Sequence, residues 1–244
     1  MNTESDGFFG QDIARTYDRD HGGNDPALIR QTTKVLAELA GEGSILEFAI
    51  GTGRIALPLA ATGRTVKGIE LSRAMIRELR KKEGVPPLEV QIGDMMKVRV
   101  PGAFSLVYLI FNTIDNLTTQ DAQVACFENA ARHLTRGGRF VVETQVPPLQ
   151  RLPVGETKLA FSATDTHFGV EEIDVVTQAH VSHHVWMDGP ACRTLSIPFR
   201  YAWPAELDLM ARIAGLVLEE RWSDWNRTPF DRYSAGHVSV WRKT

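Results

Sequence analysis

The chain has 244 residues, 27 Lys plus Arg against 30 Asp plus Glu, a net charge of −3 and 43% hydrophobic residues, a composition that supports one sizeable core with an insertion more readily than two full domains. That balance excludes a strongly basic nucleic-acid surface, and no stretch approaches the roughly 20 apolar residues of a membrane span. The start carries Glu4 and Asp6 rather than a signal peptide, and Cys126 and Cys192 lie far apart outside any CxxC pair, so no disulfide framework or cysteine metal site is expected and a reducing, cytoplasmic compartment is the default.

Residues 1–25 are polar and hold Gly22-Gly23, the pattern of an arm with one short helix. From Pro26 the apolar residues Leu28, Val35, Leu36 and Leu39 recur near the helical period, and Gly41 and Gly43 stop the run. Strands are predicted over 44–50, 65–69, 88–92, 104–111 and 139–144. Helices are predicted over 54–61, 73–82 (with Ser72 as N-cap) and 120–134. The stretch from Phe104 to Phe111 is almost wholly apolar, as the middle of a parallel sheet requires. Gly137-Gly138 reads as the stop of the preceding helix. These repeated units predict an α/β fold with a doubly wound, mostly parallel, seven-stranded sheet.

After Pro147-Pro148 the period becomes two. From Val170 to Trp186, Ile173, Val175, Thr177, Ala179, Val181 and Val185 share one face; Asp174, Gln178, His180, Ser182 and His184 share the other. Asp188-Gly189 is a turn signal, and Leu195, Ile197, Phe199 and Tyr201 then alternate with polar residues. This reads as an antiparallel β hairpin, with a third strand at 157–163. Its apolar face needs cover from the α/β core or from a second subunit, the latter giving a homodimer through the insert. A helix from Pro204 and strands near 216–221 and 237–241 complete the chain. The expected organisation is an arm over the active site (1–25), a Rossmann-like domain (26–150 and 202–244) and a β insert covering the substrate pocket (151–201).

The most informative segment runs from Ile45 to Ala56, a buried strand entering Gly51-Thr52-Gly53 and then a helix. Glycines there let backbone approach a ligand at the carboxyl end of the first strand, where open α/β sheets bind nucleotides. Glu70 follows Gly51 by 19 positions, placed to accept from ribose hydroxyls. The same letters fit a dinucleotide fingerprint, which keeps an NAD-dependent oxidoreductase as an alternative. Glu47, however, puts a negative charge where a pyrophosphate would lie. S-adenosyl-L-methionine carries a sulfonium and an ammonium instead, which a carboxylate attracts. Asp94 can accept from the adenine amine, and Met75 and Met95 can sandwich the ring. Glu47, Glu70 and Asp94 are thus expected to converge at one edge of the sheet.

Leu46 to Arg54, Gly68 to Ser72, Gly93-Asp94-Met95 and Leu134 to Phe140 together resemble the motifs of class I S-adenosylmethionine-dependent methyltransferases of the small-molecule type, over about residues 10–146. Ile13 to Asp18 is similar to the arm of such enzymes. Two positions depart: Ala49 stands where glycine is frequent, and Ser105 where an acid is common. The resemblance implies that the cofactor is held by Tyr17, Glu47, Ala49, Gly51, Gly53, Glu70, Leu71, Met75, Asp94, Met95 and Phe111.

Methyl transfer needs alignment and exclusion of water more than a fixed catalytic group, so the catalytic residue is unknown from the sequence. Asn112, Asp115, Gln145, His184 and Trp186 are the candidates for substrate binding. On a strand His180 and His184 lie about 13 Å apart and cannot share an ion, so no metal is expected. The expected function is methyl transfer to N or O of a small molecule, without nucleic-acid or membrane partners. A non-catalytic S-adenosylmethionine-binding protein is the other alternative.

Overall fold

The computed structural model describes residues 7–20, 25–82 and 87–244, leaving Gly22-Gly23 outside the described residues. In chain order the elements are α1 (Gln11–Asp20), α2 (Pro26–Ala40), β1 (Ile45–Phe48), α3 (Ala56–Ala61), β2 (Val66–Glu70), α4 (Arg73–Arg80), β3 (Glu89–Ile92) and β4 (Phe104–Leu109). There follow a 3-10 turn (Thr113–Asn116), α5 (Gln120–His133), β5 (Leu134–Gln145), β6 (Lys158–Ala163), β7 (His167–Ile173), β8 (Ala179–Asp188), β9 (Ala191–Arg200), α6 (Pro204–Ile213), β10 (Leu216–Trp222) and β11 (Gly236–Lys243). Side chains start several helices where the sequence places caps. Asp25 accepts from the Ala27 N–H at 2.8 Å and Ser72 from the Met75 N–H at 3.1 Å, each satisfying a donor that the first helical turn leaves open.

The large sheet has seven strands in the order β10-β11-β5-β4-β1-β2-β3. β1 to β5 are parallel neighbours, and β11 runs antiparallel to β5 and β10, so the sheet is mostly parallel and doubly wound as expected. Alternation along each strand sends side chains to two layers. Leu46 and Phe48 pack with α5 and α6 around Phe127, Phe140, Met210 and Trp241. Ile45 packs with α2 and α3 around Leu36, Leu59, Leu106 and Tyr108. This double cover puts the carboxyl ends of β1, β2 and β4 side by side on one edge.

β6 to β9 form a second, antiparallel four-stranded sheet, larger than the expected hairpin. Three readings of the sequence need correction. The stretch 170–186 is two strands, because Asp174 accepts from the Val176 N–H (2.9 Å) and the Thr177 hydroxyl (2.6 Å) while Gln178 turns left-handed at φ 61°. The face of β8 turned to the core is the polar one. His180 and Ser182 are buried there beside Ile197, whereas Val181 and Val185 are only half-buried and Val175 and Val176 are exposed on the turn. Finally, Gly137-Gly138 lies inside β5, which begins directly where α5 ends.

The buried His180 of the polar β8 face lies 3.5 Å from Gln145 and 3.5 Å from Glu171. Arg200, buried and paired with Ala179 in the register, donates to Gln123 of α5 (2.6 Å), Gln178 (2.8 Å) and Glu206 of α6 (2.7 Å), joining the small sheet to the core by charge-assisted bonds. Among the described residues no helix is long and apolar enough to cross a membrane. Trp241 is fully buried between Phe127 and Phe140. Trp241→Ala therefore lowers unfolding free energy by about 3–5 kcal/mol, as read by chemical denaturation; a loss below about 1 kcal/mol would contradict this packing.

Candidate functional site

A cleft opens where the carboxyl ends of β1, β2 and β4 meet α1 and β9. One lobe is lined by Phe9, Tyr17, Gly51, Met75, Phe111, Asn112, Ile197 and Phe199. A second is lined by Leu71, Asp94, Met95, Leu117 and Pro198. The two share Phe9, Ala49, Glu70, Thr113 and Asn116. A smaller recess on the other side of Tyr17 and Phe111 holds Glu47, Thr52 and Arg54.

Glu70 holds the turn after β1. One of its oxygens accepts from the Gly51 N–H and the other from the Ser72 N–H, both at 2.8 Å. The carboxylate thus engages one backbone donor with each oxygen. The Ser72 hydroxyl in turn donates to the Phe9 carbonyl at 2.6 Å. Thr52 donates to Asp18 of α1 at 2.6 Å, and Asp18 pairs with Lys82 at 3.0 Å. The arm is therefore tied to the glycine turn and to α4.

Glu47 is buried and accepts from the Tyr108 hydroxyl at 2.7 Å. The two residues are neighbours across β1 and β4. Burial pushes the Glu47 carboxyl up to about 8, against Tyr108 and Arg54, which favour its charged form. The Arg54 guanidinium lies 4.3 Å from the centroid of the Phe111 ring, a cation–π distance. A cation and a carboxyl that burial holds largely neutral thus flank the recess beside Tyr17.

Backbone strain gathers here. Ala49, Phe111 and Asn112 are non-glycine residues with φ of 52°, 62° and 56°, and all three line the same lobe. The loop is held by Glu143, which accepts from the Phe111 N–H (3.0 Å) and the Trp225 indole N–H (2.9 Å), and by Asn112, which accepts from the Gln145 N–H (2.7 Å). These left-handed turns end β4 at Leu109, two residues before the predicted Phe111.

The candidates from sequence thus divide. Tyr17, Ala49, Gly51, Glu70, Met75 and Phe111 line one lobe, Leu71, Asp94 and Met95 the other, and Glu47 the recess. Met75 and Met95 accordingly belong to different lobes. Gly53 faces inward, where a Cβ would meet Leu57 and Leu79 at 3.0 Å, so packing and its φ of 76° account for glycine there. Of the substrate candidates, Asn112 lines the cleft. Asp115 is buried on the opposite side of the 3-10 turn under the Thr144 hydroxyl (3.0 Å), where burial pushes it up to about 7. Gln145 lies beside His180, at 3.5 Å. His184 and Trp186 stack on each other at 4.9 Å and on His167, outside the lining of either lobe. Tyr108, Glu143, Ile197 and Phe199 escaped the sequence reading, since each reaches the site through register or through the insert rather than through a motif, and Arg54, the last residue of the glycine-rich motif, has no role in that reading. Among the described residues no three His, Cys, Asp or Glu side chains are placed to hold a metal ion.

Known proteins resemble this chain in sequence and fold. The methyltransferase-domain family matches residues 45–138. An uncharacterized methyltransferase of Bacillus mycoides is 30% identical over 146 residues, 58% of this chain and 67% of its own length. The solved CcbJ methyltransferase from Streptomyces caelestis is 36% identical with a TM-score of 0.87, over 98% of this chain and 99% of that one. The S-adenosylmethionine-bound amino pentose methyltransferase CalS10 from Micromonospora echinaspora shares the fold at 19% identity and a TM-score of 0.69, over 95% and 97% of the two chains.

The folded chain holds the Glu47 proton more tightly than the unfolded chain, whose carboxyl returns to the ordinary 4.5. Stability therefore falls as pH rises from about 4.5 to about 8. Glu47→Gln removes that ionisation. Its melting temperature exceeds the parent's at pH 8 by about 2–4 °C, and the difference closes towards pH 5. An equal difference at both pH values would contradict the burial of Glu47 as an acid.

Proposed function

Because the chain belongs to the class I S-adenosylmethionine-dependent methyltransferases, we propose that it transfers the methyl group to a nitrogen or oxygen of a small molecule seated between the β4 loop and the insert. The observation that carries this reading is the joint lining of one lobe by the glycine turn, by α1 and by Ile197 and Phe199 of β9. Residues 1–25 then act as the arm and 151–201 as the roof of the pocket, while 26–150 with 202–244 hold the cofactor.

The residues present fit S-adenosylmethionine. Glu70 would take the ribose, Asp94 with Leu71 and Met95 the adenine, and Gly51 with Met75 would lie against the part nearer Tyr17. Arg54 brings a cation to the recess and Glu47 a buried carboxyl that burial holds largely neutral, hydrogen-bonding partners for the carboxylate and the amine of an amino acid. The one-turn α3, of six residues, gives a pyrophosphate little helix dipole to rest on. The bound cofactor supplies a methyl group already activated on a sulfonium. The chain's own task is to exclude water and align the acceptor: Phe9, Tyr17, Phe111 and Phe199 close the lobe with rings, and Asn112, Thr113 and Asn116 offer polar atoms that orient a substrate. The description of CalS10 as an amino pentose methyltransferase supports a compact acceptor.

Two outcomes are expected in calorimetric titration. Glu70→Ala binds S-adenosylhomocysteine more weakly by about 1–3 kcal/mol, through loss of hydrogen bonds to a charged acceptor. Gly51→Arg, with a side chain entering the lobe from a residue at φ 57°, abolishes binding. Unchanged affinity in either folded variant would remove the cleft as the cofactor site.

A further inference from the structure

Resting on the methyl-transfer reading of this cleft, we propose that the acceptor atom is an amine nitrogen that enters as the free base, and not a hydroxyl oxygen. Among the described residues the lining of the acceptor lobe holds two titratable side chains, Tyr17 and Glu70, and no Lys or Arg. Burial pushes the Tyr17 hydroxyl up to about 12, so near neutral pH it is a phenol and a donor. Glu70 accepts from the N–H groups of Gly51 and Ser72.

Other groups able to take a proton lie close by and are engaged elsewhere: Glu143 accepts from the Phe111 and Trp225 N–H groups, and Asp94 lines the adjoining lobe. Glu47 sits in the recess under the Tyr108 hydroxyl. Asp115 points to Thr144 from the far side of the 3-10 turn. His180 lies behind Phe199, with ring centroids 5.6 Å apart, and sits 3.5 Å from Gln145 on one side and 3.5 Å from Glu171 on the other.

Magnitudes then decide between acceptors. An aliphatic amine with a lysine-like pKa leaves roughly one molecule in 10³ as free base at pH 7.4. A hydroxyl with a water-like pKa leaves roughly one in 10⁸ ionised. A positioned general base can close part of that gap, by about 10²–10⁴, but among the described residues lining the lobe the one carboxylate is Glu70, which the cofactor ribose takes. A phenol ionises as readily as the amine. Its anion, however, would lie among the rings of Phe9, Tyr17, Phe111 and Phe199, whose faces carry negative charge, with no Lys or Arg among the described lining residues; the nearby Arg54 already stacks on Phe111 at 4.3 Å. Those same faces attract the positive charge that grows on an attacking nitrogen. The nitrogen lone pair forms the new N–C bond while the C–S bond breaks, its electron pair passing to sulfur. The positive charge moves from sulfur to nitrogen, and the methylated nitrogen later sheds a proton to water.

The test incubates the full-length protein with methyl-labelled S-adenosylmethionine and a low-molecular-weight extract of its source organism, then separates products on a cation exchanger. The expected result is label in a basic product, formed at a rate that rises about tenfold per pH unit between pH 6 and 8 because only the free base reacts. Label confined to neutral ethers or esters, or a rate independent of pH over that range, overturns the amine assignment while leaving methyl transfer intact. No labelled product from a protein that binds S-adenosylhomocysteine overturns the methyl-transfer reading itself, and this proposal with it.

Discussion

One carboxylate holds the functional edge of this molecule together. Glu70 closes the end of β2 onto the turn that follows β1 by accepting one backbone N–H from each side, at 2.8 Å. Because both donors are backbone, the carboxylate sets the path of the chain and not merely a side-chain position. Ser72, the neighbour that donates one of those bonds, also caps α4 and donates its hydroxyl to the arm at Phe9. A single short network therefore joins two strands, one helix and the wall of the cleft. Charge-assisted bonds of this kind are among the stronger ones a protein makes, and Glu70 lines both lobes of the cleft.

Around that anchor the chain accepts strain to keep the cleft open. Ala49, Phe111 and Asn112 sit in left-handed conformations without being glycine, each at an expense of the order of 1 kcal/mol. Glu143 and the Asn112–Gln145 bond hold the β4 loop in this shape. The roof is fixed separately, through Arg200 and its three partners on α5, α6 and the insert turn. Rigid floor and rigid roof suit a reaction in which alignment supplies most of the acceleration.

Much of this was legible in the chain. The glycine turn, the acids at 47, 70 and 94 and the strand–helix alternation rest on local chemistry, and local chemistry survives into the fold. Two things were not. Tyr108 reaches Glu47 only because β4 pairs with β1 in one register, and register is a tertiary property. The insert misled for a related reason. Its valines at 175, 176, 181 and 185 mark a strand, and their alternation points to an apolar buried face. The core instead offers Gln145 to His180, and the face of His180 and Ser182 turns inward. The Asp174 turn interrupts the strand because a carboxylate can satisfy a backbone N–H and a hydroxyl locally, which no hydrophobic period reveals.

The chemistry inherits these constraints. Among the described residues, Glu70 is the one carboxylate in the lobe that Phe199 roofs; its other walls are aromatic, aliphatic or neutral and polar. The most direct measurement of the central claim is a crystal structure of the protein with S-adenosylhomocysteine. The account predicts ribose hydroxyls on Glu70, adenine in the lobe of Asp94 and Met95, and sulfur turned toward Phe111 and Phe199. Adenosine found outside those two lobes, or a ribose with no contact to Glu70, would contradict it.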